Sequence, residues 1–384
     1  MAQHTVEELR TRQAYPLELK ISLTESRIRG WVNEYGEDGV YVSFSGGKDS
    51  TVLLDIIRNR MGYKDIPAVF VDVPTQFPEL KEFAKTWDNV EILKPKISFM
   101  QVCEKYGFPL ISKEVSDCVT GAKRYLTPLK EEQGVDKLSE IVIDEELAER
   151  MMNDKYKRNG SVRRSAILLG VFTKNNEIKT TSTISTKDKS KDNHSNFKFL
   201  LDAPFEVSGK CCEVMKKNPL HEYTKRTKRK PITAQMADES RMRMKNWLAN
   251  GCNGFNMKNP ISNPMSFWTE QDILSYIYKY NIPICSVYGD IVEDFEAEGI
   301  MENQITFDDF NCDKIYKTTG CKRTGCMLCG FGCHLEKEGD SRFEMLKEIH
   351  PKMYNLLDII KNNDVTFREA IEWTNEHGNL NIKL

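Results

Sequence analysis

The chain has 384 residues, enough for one large domain or about two to three smaller ones, and its 40% hydrophobic and 29% charged residues are typical of a globular protein. The net charge of −2, from 55 Lys and Arg against 57 Asp and Glu, excludes a uniformly basic nucleic-acid binder. Apolar stretches fall far short of the roughly 20 residues of a transmembrane helix, and the polar start predicts no signal peptide. We therefore expect a cytoplasmic protein with no membrane partner.

The predicted elements begin with helices and then alternate between strands and helices. Residues 5–35 have the pattern of one or two amphipathic helices. Short apolar runs typical of buried strands then alternate with helical patterns; the strands are 40–45, 68–73 and 90–95, and the helices are 48–60, 78–87 and 98–107. This alternation predicts an α/β fold with a doubly wound, mostly parallel sheet.

Charged segments interrupt this pattern further along the chain. Residues 114–165 predict a helical insertion, the acidic stretch 290–311 predicts a second insertion, and 179–196 predicts a polar loop or hairpin. Residues 210–245 contain eleven Lys and Arg against four Asp and Glu, so the near-neutral chain contains a local positive patch. Such a patch suits a nucleic-acid backbone, but it is equally typical of solvated helix faces. Two helices are predicted after residue 336.

Eleven cysteines are many for a chain expected in a reducing compartment, where clustered cysteines more often bind metal or perform redox chemistry. Four of them are isolated among apolar residues and are predicted to be buried packing residues. These four are Cys103, Cys118, Cys252 and Cys285. The other seven are clustered as the adjacent pair Cys211 and Cys212 and a group within 22 positions, Cys312, Cys321, Cys326, Cys329 and Cys333.

A glycine-containing loop, Ser45-Gly46-Gly47-Lys48-Asp49-Ser50, lies between a predicted strand and a predicted helix. The glycines allow positive φ and a close approach of the main chain to an anion, and the first helical turn then offers its N–H groups to phosphate. Two serine hydroxyls add donors and Lys48 adds a cation, while Asp49 is placed to hold Mg²⁺ against the phosphates. The Walker A pattern GxxxxGK[ST] is absent.

The string SGGKDS resembles the PP-loop of the ATP pyrophosphatases, which split ATP between the α- and β-phosphates to adenylylate an acceptor. Three further segments, 69–80, 232–243 and 263–290, are similar to motifs of the phosphoadenylyl sulfate (PAPS) reductase family within this adenine nucleotide alpha hydrolase-like superfamily. The cysteine pair at 211–212, followed by Gly-Cys-Met-Leu-Cys at 325–329, resembles the CC…GCxxC signature of iron–sulfur adenylyl-sulfate reductases.

The resemblance implies a domain organisation and a set of site residues. It implies an N-terminal helical segment at 1–37, a PP-loop α/β domain at 38–290 and a region with the cysteine cluster and C-terminal helices at 291–384. Lys48 and Asp49 are implied to act on the phosphates. The nucleotide-binding residues implied by the matched motifs are Ser45, Gly46, Gly47, Lys48, Asp49, Ser50, Asp72, Glu239 and Arg243.

Four thiolates, from Cys211, Cys212, Cys326 and Cys329, suit either a [4Fe–4S] cluster or structural zinc. The resemblance favours the [4Fe–4S] cluster, because the side chains of adjacent cysteines diverge and ligands to different irons tolerate this better. Cys321 and Cys333 are alternate ligands. The other expected ligands are Mg²⁺ and either ATP or a PAPS-like nucleotide.

The resemblance implies an enzyme of sulfur metabolism, a transferase that uses ATP for adenylylation-linked sulfur transfer. Its partners would be a nucleic-acid acceptor or a sulfur donor protein, and a homo-oligomer stays open. Sulfonucleotide reductases have a nucleophilic cysteine in a C-terminal segment, whereas no cysteine follows Cys333 here, which argues against reduction of PAPS. Two alternatives stay open: a PAPS or adenylyl-sulfate reductase that uses an internal thiol, and a nucleotide-binding regulatory protein without catalysis.

Overall fold

The computed structural model describes residues 4–153, 160–295, 314–337 and 341–384. The α-helices are α1 Val6–Gln13, α2 Leu17–Tyr35, α3 Lys48–Asp55, α4 Pro78–Lys85, α5 Phe99–Tyr106, α6 Lys113–Gln133, α7 Glu145–Asn153, α8 Gly160–Leu169, α9 Lys210–Cys212, α10 Asn218–Thr227, α11 Arg241–Asn250, α12 Glu270–Tyr280, α13 Arg342–Ile349, α14 Pro351–Tyr354 and α15 Phe367–Gly378. The strands are β1 Val40–Ser43, β2 Ala68–Val71, β3 Val90–Leu93, β4 Leu110–Ile111, β5 Lys230–Ile232, β6 Asn253–Gly254, β7 Ile261–Ser262, β8 Ile291–Glu293, β9 Tyr316–Thr318, β10 Gly330–Phe331, β11 Lys361–Asn362 and β12 Val365–Thr366.

The chain divides into two compact units. The first unit comprises Met1–Pro95 and Lys216–Gly325, and the second comprises Lys96–Met215 and Cys326–Leu384. This division differs from the segments 1–37, 38–290 and 291–384 suggested by the motifs, and those domain bounds stay a prediction.

The first unit contains a sheet with the strand order β3-β2-β1-β5-β7-β6. Strands β1, β2, β3, β5 and β7 pair in parallel, and β6 pairs antiparallel with β7 at the edge. The α/β class with a mostly parallel sheet is therefore confirmed. The chain runs outward from β1 to β3 on one side and continues with β5 on the other, so the strand order reverses between β1 and β5. In open α/β sheets, ligands bind outside the carboxyl ends of the strands at such a reversal.

The predicted strands and helices of the first unit are present. Strand β1 is buried between its two neighbours, with Val40 and Val42 fully buried and Tyr41 2% exposed. The observed strands β1 to β3 end two residues before the apolar runs do, because the glycine loop, Pro74 and Pro95 begin the turns that follow. The predicted helix at 48–60 consists of α3 continued by a π-helical turn at Ile56–Arg60.

The second unit contains the helices α6, α7 and α8, which overlap the predicted helical insertion at 114–165. The apolar side chains of this charged segment form part of the core of the unit, including Val119, Leu126, Met151 and Val162. Charged side chains cover the outer faces of the same helices, as in any amphipathic helix. Of the predicted acidic insertion, residues 296–313 lie outside the described residues.

All four cysteines predicted to be packing residues are buried. Their exposed fractions are at most 5%, for Cys103, Cys118, Cys252 and Cys285. Within the described part of the chain, no helix is both long and apolar enough to cross a membrane.

A buried ion pair joins α2 to α12 within the first unit. Lys20 is 2% exposed, and its Nζ lies 2.6 Å from each carboxylate oxygen of Asp272. The same carboxylate accepts the backbone N–H of Thr269 at 2.6 Å and so completes the capping box of α12. Asp272 therefore joins the first turn of α2 to the N-terminus of α12.

Substituting Lys20→Met should lower the free energy of unfolding by about 3 kcal/mol, because it leaves the Asp272 carboxylate largely buried without its cation. Lys279→Met is a matched control, since it breaks a pair with Glu18 in which both side chains are more than half exposed. The loss of stability from Lys279→Met should be much smaller, because water screens an exposed ion pair. Urea unfolding measures both, and equal losses would contradict a special role for the buried pair.

Candidate functional site

The glycine loop follows β1 and the segment 233–239 follows β5, so both lie at the carboxyl ends of neighbouring strands where the strand order reverses. With the start of α12 and the segment 323–325, they line an open cleft of about 450 Å³ in the first unit. That volume falls within the range of about 300–1,000 Å³ typical of small-molecule sites. The predicted residues that line the cleft are Ser45, Gly47, Lys48, Asp49, Ser50, Glu239 and Arg243.

The loop takes the conformation that its glycines were expected to allow. Gly46 has a φ of +73°, and a Cβ there would lie 3.0 Å from the carbonyl oxygen of Leu80. Gly47 precedes α3, and its position as N-cap supplies no side-chain acceptor, so the helix N-terminus offers N–H groups to an anion; the N–H of Lys48 already donates to the hydroxyl of Tyr288. The Ser45 and Ser50 hydroxyls lie 3.0 Å apart, and the Ser50 hydroxyl donates to the carbonyl of Gly47, so these hydroxyls help to hold the loop in shape.

Lys48 places a buried ammonium group at one end of the cleft. Its side chain is 5% exposed, and its Nζ lies 3.0 Å from Oε1 of Glu270 and 3.7 Å from Oδ1 of Asp49. Burial lowers the pKa of Lys48, but the two carboxylates outweigh it and leave the pKa above its ordinary value. Burial raises the pKa of Asp49, and Glu270 adds to this, while Lys48 and Arg323 oppose it. Two carboxylates and an ammonium group therefore meet here.

Arg243 also lines the cleft, in the first turn of α11. Ser240 caps this helix and accepts the N–H of Arg243, whose guanidinium pairs with Glu239. Burial lowers the pKa of Arg243, and the nearby charge of Arg323 lowers it further, while Asp49 opposes both. Because the two guanidinium groups repel each other, an anion placed near both would be favoured.

Two of the predicted nucleotide-binding residues are not among those that line the cleft. Gly46 lies close to the carbonyl oxygen and the side chain of Leu80. Asp72 follows β2 as predicted, but its Oδ2 forms an ion pair with Nζ of Lys81 at 2.6 Å. A direct role of either residue in nucleotide binding stays a prediction.

Several cleft residues were not among the predicted site residues, although most of them lie inside the matched segments 69–80, 232–243 and 263–290. Glu270 follows the helix cap Thr269, and an acidic residue there is ordinary in any first helical turn. Arg323 and Thr324 immediately precede the cysteine motif at 325–329, from which only thiol ligands were predicted. The lining residues that sequence reasoning missed also include Gln76, Lys216, Thr233, Gln235, Asp238 and Tyr288.

The four predicted cysteine ligands lie in the second unit. Cys211 and Cys212 belong to the short helix α9, and the N–H of Cys329 donates to the carbonyl of Cys326 at 3.2 Å in a tight turn. Hydrogen bonding to Cys212, burial and the charges of Cys212, Cys329 and Cys326 all raise the pKa of Cys211. The four sulfur atoms therefore share one electrostatic environment.

No group of three or more His, Cys, Asp or Glu side chains within 4–153, 160–295, 314–337 and 341–384 has the arrangement of a metal-ion site. Cys333 is 2% exposed, and its Sγ donates to the carbonyl of Cys329 at 3.3 Å. Cys321 is half-buried and belongs to the first unit, and Cys312 lies outside the described residues. The choice between iron–sulfur and zinc stays a prediction.

The family model of the phosphoadenosine phosphosulfate reductase domain matches residues 39–140 and 171–330, which include the loop, the segment after β5 and the Cys326–Cys329 motif. The chain belongs to this family. No curated protein matches the chain. Among solved structures, the phosphate complex of phosphoadenylyl-sulfate (PAPS) reductase from Candida auris is similar at 14% identity over 68% of this chain and 82% of that chain, with a TM-score of 0.33.

Gly46→Ala should weaken nucleotide binding by about tenfold or more, because a Cβ at positive φ and against the Leu80 carbonyl must distort the loop. Gly36→Ala is the matched control, since Gly36 has a φ of +75° but no atom within 4 Å of the added Cβ. We expect it to lose some stability and to keep its affinity. Calorimetric titration with nucleotide measures both, and a G46A protein with unchanged affinity would show that the loop geometry is not needed.

Proposed function

We propose that the protein binds ATP, or a related adenine sulfonucleotide, in this cleft and catalyses adenylyl transfer coupled to sulfur transfer. The observation that carries the proposal is that the SGGKDS loop and Arg243, far apart in the sequence, line one cleft where the strand order reverses. Family membership supports an enzyme that handles an adenine sulfonucleotide or a chemically related substrate.

The residues of the cleft suit cleavage between the α- and β-phosphates. In the proposal, the phosphates lie at the N-terminus of α3, and the ammonium group of Lys48 stabilises the charge that develops on departing pyrophosphate. Arg243 and Arg323 would hold the remaining negative charge. Because the pKa of Lys48 is raised, its cation persists at neutral pH.

Asp49 is the residue that would hold Mg²⁺. Its Oδ1 is buried and accepts no hydrogen bond within the described ranges, although Nζ of Lys48 lies 3.7 Å away, so the oxygen is available to a cation. When bound there, Mg²⁺ would offset phosphate charge. Glu270, close to the same ammonium group, keeps Lys48 directed into the cleft.

A [4Fe–4S] cluster would be held by Cys211, Cys212, Cys326 and Cys329, with zinc as the alternative. A set of four thiol donors with mutual electrostatic influence fits either group. When bound, an iron–sulfur cluster would supply a one-electron redox centre or a structural link between distant segments.

The alternative within the same family is a PAPS or adenylyl-sulfate reductase. Its reaction requires a thiolate that attacks the sulfur of the substrate. Burial of Cys333 removes that thiol from reach and leaves Cys321 as the internal candidate among the described residues near the motif. Adenylyl transfer requires no such thiol, and we therefore favour it.

The proposed partners are a nucleic-acid acceptor or a sulfur donor protein. The supporting feature is the positive patch at 210–245, where the side chains of Lys217, Lys225, Lys228 and Lys245 are exposed on the first unit. Exposed lysines of this kind contact phosphate backbones without sequence preference.

Pyrophosphate release from ATP tests the proposed reaction. The wild-type protein should release pyrophosphate in the presence of Mg²⁺ and an acceptor, and Lys48→Met should reduce the rate by about a hundredfold or more. Lys279→Met, at an exposed ion pair outside the cleft lining, should keep the wild-type rate. Sulfite release from PAPS with a thiol reductant, in place of pyrophosphate release, would support the reductase instead.

Metal analysis tests the cysteine assignment independently of activity. The purified protein should contain about four iron atoms per chain and absorb at about 400 nm. Cys211→Ser or Cys326→Ser should abolish both the iron content and this absorbance. Cys285→Ala, at a buried packing residue, is the control and should keep the iron. About one zinc per chain would favour the alternative, and iron retained in both serine variants would refute the ligand set.

A further inference from the structure

The hydroxyl group of Tyr288 lies at the N-terminus of α3, where the phosphate loop begins its helix. The N–H of Lys48 donates to this hydroxyl at 3.3 Å, and the hydroxyl lies 2.7 Å from Oγ1 of Thr324. Tyr288 is 2% exposed, and its hydroxyl would be 3.2 Å from a Cβ built on Gly47. A hydroxyl pair, with Tyr288 buried and Thr324 half-buried, therefore adjoins the main-chain donors that an anion would use.

Backbone contacts fix the position of this hydroxyl pair. The N–H of Gly320 donates to the carbonyl of Tyr288 at 2.9 Å, and the N–H of Cys321 donates to the carbonyl of Val287 at 2.8 Å. Gly320 is required here, because a Cβ on it would lie 2.5 Å from the Val287 carbonyl oxygen. The segment that bears Thr324 is thus held against the turn that bears Tyr288, and such pre-organisation is typical of binding residues.

Among the residues that the structure describes, the pair has one hydroxyl proton without an acceptor. Each hydroxyl carries one proton, and the contact between them uses one of the two. The N–H of Lys48 occupies an acceptor position on Tyr288 and uses no hydroxyl proton. Burial raises the pKa of Tyr288, which keeps it protonated at neutral pH, although Thr324 and Lys48 oppose the shift. The second O–H is therefore available to an acceptor in the cleft.

The charges beside the pair indicate what that acceptor is. Nζ of Lys48 lies 5.7 Å from the centre of the Tyr288 ring, and Arg323 lines the same cleft next to Thr324 in the chain. An oxygen that accepts from main-chain N–H and hydroxyl groups and lies near two cations belongs to an anion. A tetrahedral oxyanion, phosphate or sulfate, has several such oxygens.

We infer that the Tyr288–Thr324 hydroxyl pair is a binding element for a phosphate or sulfate oxygen of the nucleotide held at the Gly47–Lys48 turn. The inference rests on the proposed function for the identity of the nucleotide, and it assigns to the anion site two residues that were not among the predicted site residues. The pair donates one O–H to the anion while Tyr288 keeps the N–H of Lys48 oriented beside it.

Binding of α,β-methylene ATP, adenylyl sulfate and inorganic pyrophosphate to Tyr288→Phe and Thr324→Val tests this inference. The methylene analogue cannot be cleaved between its α- and β-phosphates, so calorimetry measures affinity alone. Each variant should bind the anion used by the protein about tenfold more weakly, since one hydrogen bond to a charged group is lost. The double variant should lose less than the product of the two single losses, because the hydroxyls act as a pair.

Tyr280→Phe is the matched control, because the hydroxyl of Tyr280 donates to Glu18 and is not part of the cleft lining. It should leave all affinities unchanged, and thermal unfolding checks that each variant is folded. Tyr288→Phe affinity equal to or tighter than wild type would overturn the inference, and a tighter value would identify the hydroxyl as a competitor for the Lys48 N–H. If the variants bind pyrophosphate and the ATP analogue more weakly, the ligand of the hydroxyl pair is a phosphate oxygen. If they bind only adenylyl sulfate more weakly, the ligand is a sulfate oxygen.

Failure of the proposed function is a separate result. A wild-type protein that binds these anions but releases no pyrophosphate from ATP would refute adenylyl transfer and leave the role of the hydroxyl pair intact. A wild-type protein that binds none of the three anions would refute the hydroxyl-pair inference as well.

Discussion

Parallel pairing of β1 with β2 on one side and β5 on the other is the constraint on which the cleft depends. Since the chain leaves β1 in one direction and β5 in the other, the two following loops diverge and leave a gap at the carboxyl edge of the sheet. The gap is then lined by an uncapped helix N-terminus and by a guanidinium from α11. The electrostatics of the site follow from this topology, because both features attract anions before any side chain moves.

Charge balance explains how a buried lysine is tolerated in that gap. An isolated ammonium group would lose its charge on burial, but Asp49 and Glu270 favour its charged form. The same two carboxylates would repel a bare polyphosphate, and a divalent cation on Asp49 would remove the repulsion. The three charged groups therefore act as one electrostatic unit, formed by Lys48, Asp49 and Glu270. The substitution of any one of them changes the electrostatic field at the other two.

The sheet and the loop could be predicted from the sequence, whereas much of the cleft could not. Apolar runs such as 68–73 and helix caps such as Thr269 are local features of the sequence. They predict the observed elements where the tertiary packing favours the same structure. Glu270, Arg323 and Tyr288 enter the cleft through tertiary contacts, and no spacing rule relates them to the loop at 45–50. Asp72 shows the opposite case, because a motif position that looks functional is paired with Lys81.

Adenylyl transfer and sulfonucleotide reduction require different groups in the active site, and our proposal of adenylyl transfer rests on this difference. Reduction of a sulfonucleotide needs an accessible thiolate within reach of the sulfur, but the structure buries Cys333 and gives its proton a backbone acceptor. Adenylyl transfer needs cations and N–H donors around a phosphate chain, and the first unit provides these at one edge of its sheet. The burial of Cys333 leaves Cys321, which is half-buried in the first unit, as the thiol that a reductase would need. Our proposal of adenylyl transfer rests instead on the open cleft, which an anion can enter without any thiol nearby.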